Sequence, residues 1–197
     1  MENRDNIIDN NIEADTAENI TEAPAVEVID KLKSTKPMWR DILEIIITAF
    51  LIYGILSVFF VFSTVNQSSM YPTFEDGNFI VATRSFLSGN TFERGDVVLF
   101  KSDDGRIFIK RVIALPGDRL DVQEGKVYIN NKELEEDYID DDVLTTPSMS
   151  TTIHEDCYFV MGDNRYNSID SRDFGEVDAS RIVGRVRMRI FPNTKVF

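Results

Sequence analysis

The strongest constraint on this chain is an uncharged apolar run. Residues 45–62 read IIITAFLIYGILSVFFVF, which is 18 residues without one charged side chain. As a helix the run would be about 27 Å long, close to the hydrocarbon thickness of a bilayer. Its apolar residues would lie on every side of that helix, as lipid requires, and the alternative is a core helix buried on every side. We therefore predict one transmembrane helix over residues 41–63.

The charges around this run predict its orientation. Residues 1–40 hold nine acidic and five basic residues and little apolar surface, so we predict a disordered acidic tail. Four of the basic residues closely precede the run: Lys31, Lys33, Lys36 and Arg40. No Lys or Arg follows it until Arg84. Because basic flanks stay on the cytoplasmic side, we predict a cytoplasmic tail, a single pass through the cell membrane and an extracytoplasmic domain over 64–197.

Composition excludes several kinds of function. The 21 basic and 34 acidic residues give a net charge of −13, which argues against binding nucleic acid. One cysteine, Cys157, and one histidine, His154, exclude an intramolecular disulfide and a zinc site rich in Cys or His. Residues 133–142 carry seven acids, but they lack the spacing of a calcium-binding EF-hand loop, so we interpret them as a solvated loop. We predict no metal and no cofactor.

The rest of the chain is predicted to be β-structure. Short stretches rich in β-branched and aromatic residues are separated by turn residues, as is typical of strands. These stretches are residues 78–83, 96–100, 106–115, 157–161 and 182–191. Residues 119–130 have the pattern of a hairpin with its turn at Glu124 and Gly125. Strand periodicity places Lys110 on one face with Phe108 and Val112, where loss of water would favour a neutral amine that can act as a base.

Two polar segments accompany that strand. Residues 68–74 read SSMYPTF and place two hydroxyls beside a proline-containing turn, shortly after the apolar run. Residues 162–172 read GDNRYNSIDSR, in which two aspartates and two arginines can form ion pairs that hold a loop. The four residues concerned are Asp163, Arg165, Asp170 and Arg172.

Together these segments resemble the type I signal peptidases, membrane-bound Ser/Lys endopeptidases that release exported proteins. The resemblance rests on SMYPTF (69–74), RGDVVLF (94–100), IKRVIALPGD (109–118) and GDNRYNSIDSR (162–172), in this order. It implies an all-β, largely antiparallel catalytic domain after one N-terminal transmembrane helix. Residues 119–157 would form a small inserted cap. The implied partners are the signal peptides of exported preproteins, the lipid bilayer and the protein-export machinery.

The resemblance also implies residue roles. Ser69 would be the nucleophile and Lys110 the general base, and Ser168 would orient the lysine. The Ser69 backbone N–H and Gln67 would form the oxyanion hole, where Gln67 replaces a frequent hydroxyl residue with an amide donor. Structural support would come from Arg111, Asp163, Asp170 and Arg172. The substrate pockets, selective for small residues one and three before the cut, would be formed by Val65, Met70, Phe74, Phe108 and Ile109.

Other classes fit less well. A sortase needs Cys, His and Arg, but His154 and Cys157 are three residues apart, which is wrong for partners from different strands. Self-cleaving Ser/Lys repressors are soluble DNA-binding proteins, which the apolar run and the charge of −13 oppose. A catalytically inactive paralogue that binds preproteins through an anchored β-domain remains as the non-enzymatic alternative.

Overall fold

The computed structural model describes residues 38–197, so the predicted tail lies almost entirely outside the described part. The chain begins with helix α1, Met38–Phe59, in which no residue is buried. It is the one helix in residues 38–197 that is long and apolar enough to cross a membrane. This agrees with the predicted apolar helix.

The helix ends earlier than the apolar run. The predicted span reached residue 63, but Phe60–Thr64 form strand β1, which pairs with β2 (Phe79–Arg84) from Phe60 opposite Thr83 to Thr64 opposite Phe79. Aromatic and β-branched residues suit either a lipid-facing helix or a strand, and hydrogen bonding to β2 favours the strand here. The predicted C-terminal boundary of the helix is therefore corrected to Phe59.

Most of the remaining chain forms two antiparallel sheets. Besides β1 and β2, the larger sheet contains β3 (Val97–Lys101), β4 (Ile107–Ala114), β9 (Cys157–Met161), β10 (Val177–Asp178), β11 (Ile182–Phe191) and β12 (Lys195–Val196). Its strand order is β1-β2-β11-β3-β4-β9-β10, with β12 beside β11. Short helices lie at Ser85–Ser88, at Ser171–Phe174 (α2) and at Ala179–Arg181. The predicted all-β, largely antiparallel class is confirmed.

The smaller sheet falls within the range predicted for a cap. Its strands are β5 (Arg119–Gln123), β6 (Lys126–Ile129), β7 (Lys132–Glu133) and β8 (Met149–Thr152). They lie in the order β7-β6-β5-β8. The predicted hairpin is present, because β5 pairs with β6 and Glu124 and Gly125 occupy the turn with positive φ angles of 51° and 82°.

Around strand β3, both faces of the larger sheet are buried. Strand β3 shows this by alternation: Val97 and Leu99 belong to one hydrophobic cluster, whereas Val98 and Phe100 belong to another. A third cluster joins the two sheets. In this cluster, Ile113 and Phe159 of the larger sheet pack against five buried residues between positions 120 and 153. The strand that carries Lys110 is therefore packed from several sides.

Candidate active site

Two of the predicted site residues are in direct contact. The Lys110 Nζ lies 2.7 Å from the Ser69 Oγ and donates a hydrogen bond to it. The exposed fractions are 1% for Lys110 and 6% for Ser69, so this contact is shielded from bulk water. A serine hydroxyl and a lysine amine at this distance can exchange a proton if the amine is neutral.

The turn after β1 holds Ser69 from behind. The Tyr71 N–H donates to the Ser68 carbonyl at 3.1 Å, and the Phe74 N–H donates to the Met70 carbonyl at 2.8 Å. Met70 and Phe74 are completely buried and anchor the turn in the hydrophobic core. The nucleophile candidate is thus fixed by its own neighbours in sequence.

The surroundings of Lys110 favour its neutral form. Burial lowers the pKa of Lys110 to about 8, against the partly compensating charges of Asp170 and Asp163, which raise it. The Nζ also lies 5.6 Å from the centre of the Phe108 ring, so the amine has an apolar neighbour on its own face of the strand. A lysine with this pKa has a usable fraction of free amine near neutral pH.

The neighbouring residue on β4 supports a different part of the site. Arg111 makes two hydrogen bonds to the Asp163 carboxylate, of 2.9 Å from Nε and 2.7 Å from Nη2. Its guanidinium carbon stacks 3.9 Å from the centre of the Tyr138 ring, and its Nη1 donates to the Gly95 carbonyl at 2.9 Å. Both ion-pair partners are buried, so the pair joins β4 firmly to the segment after β9.

A second buried ion pair closes the loop 162–172. Arg172 binds Asp170 through Nε–Oδ1 and Nη2–Oδ2 contacts of 2.8 Å each. Burial alone would raise the pKa of the Asp170 carboxyl, but hydrogen bonds and charge from Arg172, with the Gly162 N–H, lower it below its usual value. Asp170 also caps α2, accepting a hydrogen bond from the Arg172 backbone N–H. The pair therefore shapes both ends of this loop.

The loop 162–172 directly contacts residues 68–74, the turn that carries the candidate nucleophile Ser69 and is called the nucleophile turn below. The Asn164 N–H donates to the Ser69 carbonyl at 3.0 Å, and its Nδ2 donates to the Ser68 carbonyl at 3.1 Å. The Asn167 Nδ2 donates to the Ser68 Oγ at 3.0 Å. A Cβ added to Gly162 would lie 2.4 Å from the Ser69 carbonyl oxygen, so only glycine allows this approach. Sequence reasoning missed both asparagines, although they stand inside a motif it had quoted.

Arg165 has a different partner from the one predicted. Its guanidinium binds Glu136, with a 3.0 Å contact between Nη1 and Oε2, and also donates to Thr145. The Arg165 side chain is fully buried, and Glu136 is 9% exposed. Glu136 lies in the acid run interpreted as a solvated loop, so that interpretation is wrong for this member. Nothing in the sequence distinguishes Glu136 from the other acids of this run.

Ser168 departs from its implied role in this structure. Its buried Oγ lies beside the Asp170 carboxyl and helps to lower the pKa of that group, but within residues 38–197 it forms no hydrogen bond with Lys110. The Lys110 Nζ donates to Ser69, and no hydrogen bond among residues 38–197 joins it to Ser168 as implied. Ser168 nevertheless lies at the site, because a Cβ on Gly162 would meet both its Oγ and the Ser69 carbonyl.

An open cavity of about 540 Å³ adjoins the Ser69–Lys110 contact. Gln67, Ser68, Ser69 and Phe108 line this cavity, which therefore contains the predicted amide donor, Gln67, and one residue predicted to bind substrate, Phe108.

The other four residues predicted to bind substrate do not line the cavity. Val65, Met70 and Phe74 are buried in one core cluster, and Ile109 packs against that cluster. They face the core because each belongs to the inward side of its strand or turn.

The single histidine and cysteine lie away from this cavity. His154 is exposed, with Nδ1 at 3.1 Å from Glu176 Oε2, and Cys157 is half-buried. Neither lines the cavity beside Ser69. Residues 38–197 contain no group of three or more His, Cys, Asp or Glu side chains placed to hold a metal ion.

Comparison with known proteins gives consistent matches. The family described as "Signal peptidase, peptidase S26" matches residues 39–191. The chain is 35% identical to Signal peptidase I U of Bacillus subtilis (strain 168) over 161 residues, covering 77% of this chain and 86% of that protein. It is 33% identical to Signal peptidase IB of Staphylococcus aureus (strain COL) over 176 residues, covering 79% and 92%. A crystal structure of a signal peptidase I from Enterococcus faecalis V583 is 32% identical, with a TM-score of 0.44, covering 48% of this chain and 96% of that one. Because the family match covers residues 39–191, most of the chain, the chain belongs to the signal peptidases of the peptidase S26 family.

Proposed function

We propose that this protein is a membrane-bound serine endopeptidase that cleaves signal peptides from exported preproteins with a Ser69–Lys110 dyad. The observation that carries the proposal is the buried 2.7 Å contact between the Ser69 Oγ and the Lys110 Nζ. A hydroxyl becomes a competent nucleophile when a positioned base takes its proton. Burial lowers the pKa of Lys110 to about 8, which makes the amine such a base.

The proposed reaction has two halves. Lys110 takes the proton of Ser69 as the oxygen attacks the scissile carbonyl, and it then passes this proton to the departing amine. The resulting ester is cleaved by a water that Lys110 deprotonates in turn. The Ser69 backbone N–H and the Gln67 amide would stabilise the oxyanion, and Gln67 has the exposed position beside Ser69 that this role needs.

The supporting residues act by holding this geometry. Two buried ion pairs, Arg111–Asp163 and Arg172–Asp170, connect β4, the segment after β9 and α2 around the dyad. We propose that Phe108 contacts substrate in the cavity, and that Val65, Met70, Phe74 and Ile109 form its apolar backing. Shallow apolar pockets would select small residues one and three positions before the cut. Ser168 would serve as a neighbour of the dyad that can bond the amine once it is free.

The proposed location follows from α1 and the charges around it. We propose a single pass through the cell membrane with the N-terminus in the cytoplasm and residues 64–197 outside. The substrate is an exported preprotein whose signal peptide lies in the same bilayer, so the export machinery is the expected partner that delivers it. No nucleic acid or cofactor takes part in this proposal.

The deciding experiment is cleavage of a preprotein by the purified full chain in detergent. We expect product with the native chain and none with Ser69→Ala, while Ser63→Ala, a strand residue outside the cavity, keeps normal turnover. Replacing alanine just before the scissile bond with phenylalanine should lower kcat/KM at least a hundredfold, roughly 3 kcal/mol. Binding of preprotein without cleavage by the native chain would favour the inactive paralogue instead.

A further inference from the structure

A groove lined by cations adjoins the cavity beside Ser69 and shares Ser102, Asp103 and Arg181 with it. It encloses about 510 Å³, and Arg84, Lys101 and Arg181 contribute to its walls together with the apolar ring of Phe86. The chain as a whole has a net charge of −13, so a groove with three cations is unlike the acidic chain around it. None of these cations contacts Ser69 or Lys110.

The fold brings the three cations together at one end of the larger sheet. Arg84 is the last residue of β2 and Lys101 the last of β3, whereas Arg181 directly precedes β11. Strand β11 lies between β2 and β3 and is antiparallel to both. The ends of two strands therefore meet the start of the third, and their side chains surround a common space.

Two of these cations have no carboxylate partner within residues 38–197. Arg181 forms an ion pair of 3.0 Å with Asp103, which is 93% exposed. Arg84 uses its Nε to donate to the Ser57 carbonyl at 3.2 Å, and no carboxylate in residues 38–197 is paired with Arg84 or Lys101. Three cations against one carboxylate leave a charge of +2, and such a surplus favours an anionic ligand.

Strand pairing shows that this groove lies close to the C-terminal end of α1. Phe60 pairs with Thr83, and the next residue, Arg84, donates from Nε to the carbonyl of Ser57 in the last turn of α1. If α1 spans the bilayer, a step that rests on the proposed function, Arg84 lies where lipid phosphates are found. Phe86 and Leu87 follow at once and are 54% and 47% exposed, as expected of apolar residues at a membrane interface.

We propose that this groove binds the phosphate of an anionic phospholipid headgroup. Arg84 and Lys101 supply the charge that is still available, and the exposed Phe86 contacts the apolar part of the same lipid. A guanidinium and an ammonium are the groups that proteins use for phosphate, and anionic lipids attract basic residues close to the bilayer. An acidic segment of a preprotein could also meet the charge, but it would not account for the apolar residues at this level.

The test uses the full chain in phosphatidylcholine vesicles that contain a small fraction of phosphatidylglycerol with a photoreactive headgroup. We expect cross-links to peptides that contain Arg84 or Lys101, and a reduction of about tenfold in R84Q/K101Q. The matched control K126Q/K132Q removes two exposed lysines from the smaller sheet and should be labelled like the native chain. If R84Q/K101Q unfolds, the single change Lys101→Gln replaces it, because this exposed side chain has no hydrogen-bonded partner in residues 38–197.

Competition identifies the ligand. Excess unlabelled phosphatidylglycerol should abolish the cross-links, whereas phosphatidylcholine and soluble glycerol phosphate should not. Equal labelling of both double variants, competition by glycerol phosphate, or competition by an acidic peptide but not by lipid would each overturn the proposal. The readout requires no cleavage and can be repeated with Ser69→Ala, so a chain that binds lipid without peptidase activity would refute the proposed function alone. Failure of the chain to float with the vesicles would refute the membrane anchoring on which both depend.

Discussion

At the scale of single residues, the candidate site depends on keeping water away from one amine. Lys110 is 1% exposed, and its Nζ has the Ser69 Oγ on one side and the Phe108 ring nearby. Two carboxylates, Asp170 and Asp163, raise its pKa, but burial is the largest influence and lowers the pKa to about 8. The same carboxylates are held by arginines, which limits how far they can stabilise the ammonium.

The first prediction concerns the pH dependence of cleavage. Lys110 is active only when deprotonated, so a pKa of about 8 predicts that kcat/KM rises with pH through this value and levels off above it. At pH 6 only about one molecule in a hundred would carry the free amine. The measurement is kcat/KM from pH 6 to about 10 with an uncharged substrate segment. A profile that is flat over this range would contradict the assignment of Lys110 as the base.

The second prediction separates a base from a mere positive charge. Lys110→Arg keeps the charge, but guanidinium does not lose its proton, so activity should fall on the order of a thousandfold, as in Lys110→Ala. His154→Ala and Cys157→Ala are the controls and should keep near-normal kcat, because neither residue lines the cavity. Loss of cleavage in His154→Ala with activity retained in Lys110→Arg would point to a histidine-based mechanism.

At the scale of elements, the loop 162–172 is a clamp on the nucleophile turn. Asn164 bonds the backbone of that turn, and Gly162 allows the two segments to touch. Behind the loop, Arg165 reaches Glu136, which lies between β7 and β8 of the smaller sheet. The position of Ser69 therefore depends on contacts with two distant parts of the chain.

The third prediction tests this clamp. In Gly162→Ala the new methyl group would lie 2.4 Å from the Ser69 carbonyl oxygen and 2.2 Å from the Ser168 Oγ, so one of these segments must move. Because small displacements of a nucleophile are costly, kcat/KM should fall roughly a hundredfold or more. Gly54→Ala is the control: a Cβ there meets nothing within 4 Å, and activity should be unchanged. Similar activity of both variants would show that the clamp does not hold Ser69.

The fourth prediction compares a buried with an exposed ion pair. Glu136→Gln leaves the fully buried Arg165 without its charge partner, which should lower the free energy of unfolding by about 3 kcal/mol. Glu133→Gln breaks the Lys126–Glu133 pair, whose side chains are 57% and 48% exposed, and should cost less than about 1 kcal/mol. Chemical denaturation of the two variants measures the difference, and equal losses would exclude a structural role for the buried pair.

The elements show what sequence could predict and what it could not. Strands such as 157–161 were predictable because apolar runs between turn residues have few other stable arrangements. The end of α1 could not be predicted, since Phe60 and its neighbours suit a lipid-facing helix and a strand equally well. The site segments were found through their motifs. The partner of Arg165 was not, because seven acids in ten positions offer many candidates and only the tertiary fold selects Glu136.

At the scale of the whole molecule, one apolar helix precedes an all-β domain of opposite character. Helix α1 has no buried residue, whereas packed clusters cover both faces of the larger sheet around β3. An apolar helix left uncovered by its own protein needs another apolar surrounding. A bilayer would supply it, and the distribution of basic residues then decides which end faces the cytoplasm.

The fifth prediction concerns this orientation. With tags at both ends, a protease added to intact cells should degrade residues 64–197 and spare the N-terminal tag, because basic residues flank only the N-terminal side of the apolar run. Cells opened with detergent should lose both tags. Protection of the C-terminal tag in intact cells would contradict the proposed topology, whatever the outcome of the cleavage assays.

The direct passage from α1 into β1 has a consequence for the choice of substrates. No loop separates Phe59 from Phe60, and β1 is hydrogen-bonded to β2 over its full length. A flexible tether after α1 would let the proposed nucleophile Ser69 reach peptide bonds at many distances from the end of the helix, whereas a strand paired within the sheet would restrict that range. If the proposed function and anchoring hold, cleavage would then depend on how far a cleavage site stands from the end of the apolar segment of the substrate. Preproteins with an identical cleavage sequence but a longer or shorter spacer would be sorted by length alone.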